Sequence, residues 1–179
     1  MGSTTQALVF LVSTVFQLYL LIILLRLLLE FVQADFYNPV CQVLIKATDP
    51  LVKPINRLLP GRSRLNLAAL IVLYLVQCLG LVILALIQGV MPDPLILALR
   101  ALQELVRLLL VTYLVLILAG VILSWVGQGM RHPIVPLIFQ LTDPVLAPIR
   151  RVLPSMGGFD LSPLIALIGI QFLIILLGV

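Results

Sequence analysis

Four long apolar segments constrain the fold of this 179-residue chain more than any other feature. They run from about Ala7 to Leu29, from Leu65 to Ile87, within Leu105 to Val126, and from Leu161 to Val179. Each segment is continuous and rich in leucine, which is typical of helices that cross a bilayer and not of alternating barrel strands. The segments therefore predict an all-α membrane protein with four transmembrane helices.

The composition of the chain excludes a soluble globular domain. Hydrophobic residues make up 63% of the sequence and charged residues only 10%, whereas a soluble domain carries about 25% charged residues. A soluble domain of this size could not bury so much apolar surface, because small domains leave a large share of their surface in water. The first residues, MGSTTQ, carry no positive charge, so we do not expect a signal peptide.

The chain also contains a duplicated unit, which aligns with itself after a shift of 94 residues. The phrase TDPLVKPINRLLP at residues 48–60 returns as TDPVLAPIRRVLP at residues 142–154. We expect a first repeat over residues 1–93 and a second over 94–179, each with two crossings and both in the same orientation. Such repeats should be related by a pseudo-two-fold axis along the membrane normal.

The basic residues predict which side of the membrane each loop faces. Those between the first and second crossings and between the third and fourth are Lys46, Lys53, Arg57, Arg62, Arg64, Arg131, Arg150 and Arg151. The connection between the repeats has Arg100 and Arg107, offset by Asp93 and Glu104. Lysine and arginine favour the cytoplasmic side. We therefore expect the two basic loops inside the cell and both termini outside.

The duplicated phrase predicts short helices that start at a proline. Asp49 and Asp143 each precede a proline, as a helix N-cap followed by proline at the first helical position would. A symmetric pair of functional carboxylates is the alternative. Apolar spacing over residues 50–59 and 144–153 predicts two short amphipathic helices that lie flat at the interface, each ended by Pro60 or Pro154.

The arginines of the phrase are candidates for lipid binding. Arg57, Arg150 and Arg151 fall away from the apolar face, and a guanidinium binds a phosphate through two hydrogen bonds. The alternative is that they set the topology and attract anionic headgroups only weakly. Both interpretations make the bilayer and its anionic headgroups a partner of the chain.

Polar residues at equivalent positions predict further helix starts. Asn38 and His132 each precede a proline and open a second short helix, and Asn66 and Asp160 are placed to cap the second crossing of each repeat. His132 is the only histidine, and no cluster of His, Cys or carboxylate residues surrounds it in the sequence. A role at a helix start is therefore favoured over a haem or metal ligand.

The doubled phrase, with NPV before its first copy and GGFDLSPLI after its second, resembles the signature of the YggT family of bacterial membrane proteins. The resemblance covers nearly the whole chain and corresponds to the two-repeat form found in Gram-negative bacteria. It implies a location in the bacterial inner membrane. It also associates the chain with cell division and osmotic or potassium stress, and chloroplast relatives with haem attachment to cytochrome b6 and nucleoid distribution. Asn56 departs from the pattern, since the second copy has Arg150 there.

Three glutamines lie near the middle of apolar segments, where polar groups are costly. Gln17, Gln77 and Gln171 should form hydrogen bonds between helices at the centre of the bundle, with Gln77 and Gln171 meeting across the pseudo-two-fold axis. A pore or transport path lined by these amides is the alternative. Arg26 and Glu30 are four residues apart and predict an ion pair near the end of the first crossing.

The segment from Pro94 to Val126 is too long for a single crossing. Its 33 residues would extend about 50 Å as a helix, against about 30 Å of hydrocarbon. Arg100, Gln103, Glu104 and Arg107 lie on one face. We expect the first part of this helix to lie on the outer surface. The alternative is that the polar stripe packs inside an oligomer.

The sequence contains none of the motifs expected of an enzyme. Nucleophile elbows, glycine-rich phosphate loops and metal-binding spacings are missing, so we expect no catalytic residue, cofactor or metal. The net charge of +4 is explained by topology and lipid attraction and does not predict nucleic-acid binding. A non-enzymatic membrane factor that assembles with a protein partner or with copies of itself is the favoured interpretation. An ion channel or transporter is the alternative.

Overall fold

The computed structural model describes residues 2–58, 66–126, 132–152 and 160–178, and all regular secondary structure within these ranges is helical. Six helices follow one another: α1 (Ser3–Phe31), α2 (Pro39–Leu58), α3 (Leu67–Ile87), α4 (Pro94–Val126), α5 (Ile134–Val152) and α6 (Ser162–Leu177). Helices α1, α3 and α4 are long and apolar enough to cross a membrane, and α6 is apolar but has only 16 residues. The chain is an all-helical membrane protein, as its apolar segments predict.

The order of the helices is the same in both halves of the chain. A long apolar helix is followed by a helix that contains the Thr-Asp-Pro phrase and then by a second apolar helix. In the first half α1, α2 and α3 pack against one another, and in the second half α4, α5 and α6 do the same. Each half is thus a three-helix unit.

The contacts between the two units are not symmetric. Helix α3 packs along α4, and α1 touches α4 and α5. A two-fold axis would also place α6 on α1 and α2 on α4, but among the described residues neither pair forms an extended contact. The predicted pseudo-two-fold relation is therefore wrong, and the units are arranged head to tail. The physical reason is the short connection at residues 88–93, which holds α4 beside α3 and has no counterpart between α6 and α1.

Helices α2 and α5 continue through the prolines that were predicted to divide them. Pro50 and Pro54 lie inside α2, and Pro144 and Pro148 lie inside α5. The short helices expected over 50–59 and 144–153 are therefore wrong as separate elements. The predicted end points of these helices, Pro60 and Pro154, both lie outside the described residues.

A threonine hydroxyl supports each helix just before its first internal proline. The hydroxyl of Thr48 donates to the carbonyl oxygens of Leu44 at 2.7 Å and Ile45 at 3.3 Å. In the second unit the hydroxyl of Thr142 donates in the same way to the carbonyl oxygens of Ile138 and Phe139. Such bonds to the preceding turn bend a helix without ending it. The carbonyl left without a donor by Pro50 is that of Lys46, an exposed residue, so water can bind it.

The predicted capping residues divide into two groups. Asn66 is the N-cap of α3, and its side chain accepts a hydrogen bond from the backbone N–H of Ala69 at 3.1 Å. Asp160 accepts from the N–H of Ser162 at 2.9 Å, immediately before the first turn of α6. Asp49 and Asp143 are not caps, because they lie in the interior of α2 and α5. Their carboxylates face basic side chains instead.

Two groups of buried side chains form the core. The larger joins α1, α2 and α3, and it also contains Leu137 and Leu141 of α5. The smaller lies within the second unit around Ile117, Leu146 and Ile170. The first unit is therefore the better packed of the two, and its core extends across the boundary into α5.

A contact between α1 and α3 depends on a glycine. A Cβ atom added at Gly80 would lie 2.8 Å from Cδ1 of Phe16, closer than carbon atoms can approach without a shift of the ring. At Gly169 in α6 an added Cβ would meet nothing within 4 Å. Position 80 thus requires a glycine, whereas position 169 tolerates a side chain.

We expect Gly80→Ala to lower the stability of the protein, because the added methyl group overpacks the contact with Phe16. The expected loss is about 1–2 kcal/mol, measured as a shift in the unfolding midpoint in detergent micelles. Gly169→Ala is the matched control and should leave the midpoint unchanged or raise it slightly. Equal effects of the two substitutions would contradict the predicted role of Gly80.

Candidate functional site

A buried arginine joins α1 to α2. The Arg26 guanidinium donates from Nε to Oε1 of Glu30 at 2.9 Å, and from Nη1 to Oδ1 of Asp49 at 2.9 Å. Nη1 also donates to the hydroxyl of Thr48 at 2.7 Å. Only 8% of the Arg26 side chain is exposed. The expected pair of Arg26 and Glu30 is thus the centre of a larger network, which we call the arginine network.

The arginine network balances its charges. Asp49 also accepts from Nζ of the exposed Lys53 at 2.7 Å, so two carboxylates face two cations. Burial raises the pKa of the Asp49 carboxyl, but hydrogen bonds and charges from Lys53 and Arg26 outweigh burial and hold the pKa below its ordinary value. The carboxylate is therefore ionised at neutral pH. The network is a structural joint between α1 and α2.

The second unit has an open groove at the corresponding place. Gly120 and Ser124 stand at the positions of Arg26 and Glu30, so no arginine fills the space between α4 and α5. The groove has a volume of about 540 Å³. Its polar side chains are Ser124, Thr142, Arg150 and Asp160, and the others that line it are mainly apolar. Such a groove can accept a molecule with an apolar part and a polar end.

The two carboxylates beside this groove already engage Arg150. Its Nε donates to Oδ2 of Asp160 at 2.8 Å, and its Nη1 donates to Oδ1 of Asp143 at 3.2 Å. Burial raises the pKa of Asp160, but hydrogen bonds from Ser162 and the charge of Arg150 outweigh it and lower the pKa. The charge of Arg150 is therefore offset within the chain, which reduces its attraction for a lipid phosphate.

The other two candidates for headgroup binding lie at helix ends. Arg57 is exposed in the last turn of α2, where it lines a shallow groove together with Lys46 and Lys53. Arg151 is exposed in the last turn of α5. Of the three arginines, Arg57 is the one that shares a groove with two lysines.

A polar cavity lies at mid-height in the bundle. It has a volume of about 250 Å³, and its polar lining is Gln17, Gln77, Glu104 and Arg107. Gln17 and Gln77 are at the middle of α1 and α3, and Glu104 and Arg107 lie beside them in the first half of α4, so the cavity is far from the ends of α1 and α3. Glu104 and Arg107 approach each other at 3.9 Å. We call this space the central cavity.

The head-to-tail arrangement corrects one expectation about the polar residues. Gln171 does not meet Gln77, because it is exposed on α6 and, among the described residues, α6 does not pack on α3. Gln17 and Gln77 do line the same space between helices. The first part of α4 packs along α3 with its polar residues exposed, and its expected place on the outer surface stays a prediction.

Asn38 has a role that the sequence did not indicate. Its Oδ1 accepts from the N–H of Val40 at 2.9 Å, which is the expected helix-start contact. Its Nδ2 also donates to the carbonyl of Pro133 at 2.7 Å and so links the two units. His132, the counterpart of Asn38, accepts from the N–H of Ile134 through Nδ1 at 3.3 Å. Within the described ranges no three His, Cys, Asp or Glu side chains are grouped as metal ligands would be.

Comparison with known proteins assigns the family. The CCB3/YggT family model matches the chain twice, over residues 5–87 and 99–179. The chain belongs to the CCB3/YggT family. The two matched segments correspond to the two three-helix units, which supports an internal repeat. No solved structure matches the chain.

Curated relatives of this family member cover nearly its full length. An uncharacterised protein in the proC 3′ region of Vibrio alginolyticus is 42% identical over 94% of this chain and 92% of its own length. The uncharacterised protein YggT of Escherichia coli K12 is 39% identical over 89% of this chain and 83% of its own length. An uncharacterised protein of Pseudomonas aeruginosa is 36% identical over 96% and 88%.

We expect Arg26→Leu to separate α2 from α1, because it leaves Glu30 and Asp49 without their shared cation. Removing one partner of a buried ion pair costs about 3–5 kcal/mol, which unfolding in detergent micelles would detect. Cys41 provides a local measurement, since it is buried in α2 and burial followed by the charge of Asp35 raises the pKa of its thiol. Maleimide should label Cys41 slowly in the wild type and at least tenfold faster in the variant.

Arg57→Leu is the control, since it removes an exposed arginine from α2, the helix whose position is being measured. It should change neither the unfolding midpoint nor the labelling rate of Cys41. If Arg26→Leu behaves like this control, then the arginine network does not hold α2 in place.

Proposed function

We propose that this protein is a non-enzymatic, multi-pass component of the bacterial inner membrane that organises membrane partners through α2 at the cytoplasmic surface. The observation that carries this proposal is the division of α2 into three faces. One face is buried in the bundle, one is polar and exposed, and one is apolar and exposed. A helix with this division is suited to lie in the membrane interface and to present its polar side to another protein.

The three faces of α2 follow from helical spacing of 100° per residue. The buried face contains Cys41, Thr48 and Val52. The polar face contains Gln42, Lys46, Asp49, Lys53, Asn56 and Arg57. The apolar face contains Val43, Ala47, Pro50, Leu51, Pro54 and Leu58, all of which are exposed. The polar and apolar faces lie on opposite flanks of the buried one, so one flank can meet water while the other meets acyl chains.

Anionic headgroups are the expected lipid contacts of the polar face. Lys46, Lys53 and Arg57 lie within three turns of one another, and each basic residue near an anionic surface contributes about 1 kcal/mol to the attraction. Arg151 on α5 is the counterpart of Arg57 on α2. Because Lys53 also binds Asp49, the arginine network holds this basic surface at a fixed position relative to α1.

We further propose four crossings with both termini outside the cell. In this arrangement α6 is the fourth crossing. Its 16 helical residues extend about 24 Å, which a bilayer of about 30 Å accommodates by local thinning. The positive-inside rule then places α2 and α5 on the cytoplasmic side. The net charge of the chain serves this topology, and nucleic acid is not a partner.

A photoreactive amino acid in α2 tests the proposed function. At Lys53 or Arg57, illumination of bacterial membranes should produce covalent adducts with a protein other than the chain itself. Leu79, exposed on α3, is the control position and should give lipid adducts only. The proposal fails if α2 gives only lipid adducts or only adducts between copies of the chain.

The central cavity favours a second candidate function, which is ion passage. A carboxylate and a guanidinium at mid-height in a membrane bundle are costly and usually serve transport or a proton relay. Glu104 and Arg107 line this space and are each about half exposed, and two amides complete its polar lining. These side chains could replace part of the hydration shell of a cation.

Flux measurements in liposomes separate the two candidates. Under the favoured proposal, purified protein carries no potassium above protein-free liposomes, and Glu104→Gln changes nothing. Under the second candidate, the wild type carries potassium and Glu104→Gln reduces the flux at least tenfold with an unchanged unfolding midpoint. Asp93→Asn, at the exposed start of α4, controls for loss of any acidic residue. A flux that depends on Glu104 would overturn the favoured proposal.

A further inference from the structure

The two units of the chain have the same helices but differ in which surfaces are covered. Within the chain, the first unit contributes α3 and the end of α1 to the contact, and the second contributes α4 and α5. In the other unit, α3 corresponds to α6 and the end of α1 to the end of α4, while α4 corresponds to α1 and α5 to α2. If the units bury these positions only through contact with each other, the counterparts should be exposed.

The first comparison is between α4 and α1. The face of α4 that turns towards the first unit includes Ala101 and Thr112, which are 0% and 6% exposed. Their counterparts in α1 are Ala7, which is exposed, and Leu18, which is 57% exposed. Leu11 of α1 lies between them and is 59% exposed. A face that is covered in the second unit is therefore open in the first.

The second comparison is between α3 and α6. Tyr74 faces α4, where its hydroxyl donates to the carbonyl of Ala98 at 3.3 Å. Its counterpart in α6 is Ile168, which is 62% exposed. Leu81 of α3 is half-buried, while its counterpart Ile175 is 71% exposed. The face of α6 is therefore open where the matching face of α3 is covered.

The third comparison concerns α5 and α2. Leu137 of α5 is 3% exposed in the core that it shares with α1, whereas its counterpart Val43 in α2 is 65% exposed. Leu28 near the end of α1 is buried, and its counterpart Ile122 in α4 is exposed. Trp125 follows Ile122 on the same side and is also exposed.

From these comparisons we infer that the chain assembles head to tail with further copies of itself. In this assembly α6 of one copy packs on α1 of the next, and the end of α4 packs on the apolar face of α2. The contact repeats the one between the two units inside a single chain. The assembly leaves the polar face of α2 free for a partner, so it is compatible with the proposed function and is tested separately from it.

Lipid alone would also cover apolar side chains, so exposure by itself does not indicate a partner. The match between the open faces does, because α6 and α1 carry the counterparts of two surfaces, on α3 and α4, that already pack on each other within the chain. Ala7 adds to this argument, since a small residue at the position of the buried Ala101 allows two helices to approach closely.

Two polar side chains fit the same assembly. Gln171 is exposed in the middle of α6, where lipid offers its amide no hydrogen bond. Its counterpart in α3, Gln77, lines the central cavity together with Arg107, and the counterpart of Arg107 in α1 is Ser13. In the assembly Gln171 would therefore lie beside the hydroxyl of Ser13 in the next copy. His132 accepts through Nδ1, so its Nε2 can donate to the carbonyl of Pro39 in that copy, as Asn38 does to Pro133 within the chain.

A contact of this kind joins two different surfaces, so it generates a closed ring or an open array and not a two-fold dimer. Both units cross the membrane in the same direction, which allows successive copies to follow one another around an axis along the membrane normal. The structure thus assigns the open faces of α1, α2 and α6 to a second copy of the chain.

Disulfide trapping in membranes tests the assembly. In a chain with Cys41→Val and Cys78→Ala, the pair Thr4→Cys and Ile168→Cys reproduces the contact between Ala98 and Tyr74 one unit further along. Oxidation should convert most of the protein into a ladder of covalent multimers. Ile168→Cys alone should stay monomeric on a denaturing gel, because the contact is not symmetric.

The control pair is Leu79→Cys and Leu173→Cys, which replace residues that are exposed in both units and should therefore face lipid. This pair should give no ladder. Ala7→Trp, added to the trapping pair, should abolish the ladder while the unfolding midpoint stays unchanged, because Ala7 is exposed within one chain. Absence of the ladder in the trapping pair would overturn the inference. Equal trapping by Ile168→Cys alone, or by the control pair, would also overturn it.

Discussion

The position of α2 depends on the Arg26 guanidinium. A buried cation is tolerated only where carboxylates and hydrogen-bond acceptors surround it, and α2 supplies two of those acceptors through Thr48 and Asp49. The same threonine hydroxyl donates to the turn before Pro50, so the ionic contact and the support of the proline-containing helix meet at one residue. The basic surface proposed to meet partners is therefore held against α1 by an interaction in the bundle interior.

Much of the fold was predictable because it depends on local sequence. Continuous apolar segments indicate long helices, and Asn66 lies directly before the first turn of α3, where a cap is needed. The continuity of α2 was not predictable in the same way. Rules for proline weigh the hydrogen bond that a helix loses, and they do not include a hydroxyl or a guanidinium that binds the preceding turn. In α2 part of the support for the turn before Pro50 comes from Arg26 on a different helix, whose guanidinium donates to the carbonyl of Ile45 at 3.5 Å.

The central cavity shows a different limit. The depth of Gln17 and Gln77 could be read from their positions in apolar segments, and the two amides do lie together. Their neighbours Glu104 and Arg107 come from the other unit, so predicting them requires the arrangement of the units. A duplicated sequence allows both a two-fold and a head-to-tail arrangement. The choice depends on the short connection from α3 to α4, which is present once, and this is why the expected pairing of Gln77 with Gln171 is wrong.

The sequences of the two units differ at the contact of α1 with α2 and at the equivalent contact of α4 with α5. The first unit has Arg26 and Glu30 there, and the second has Gly120 and Ser124, which leave a groove of about 540 Å³. Without the cation from α4, Asp143 binds Arg150 on its own helix, so among the described residues α5 is joined to α4 mainly by apolar contacts. An ionic joint requires fixed geometry, whereas an apolar contact beside an open groove permits small shifts of the helix. The first unit therefore holds its proline-containing helix through an ionic joint, and the second holds its own through buried apolar side chains.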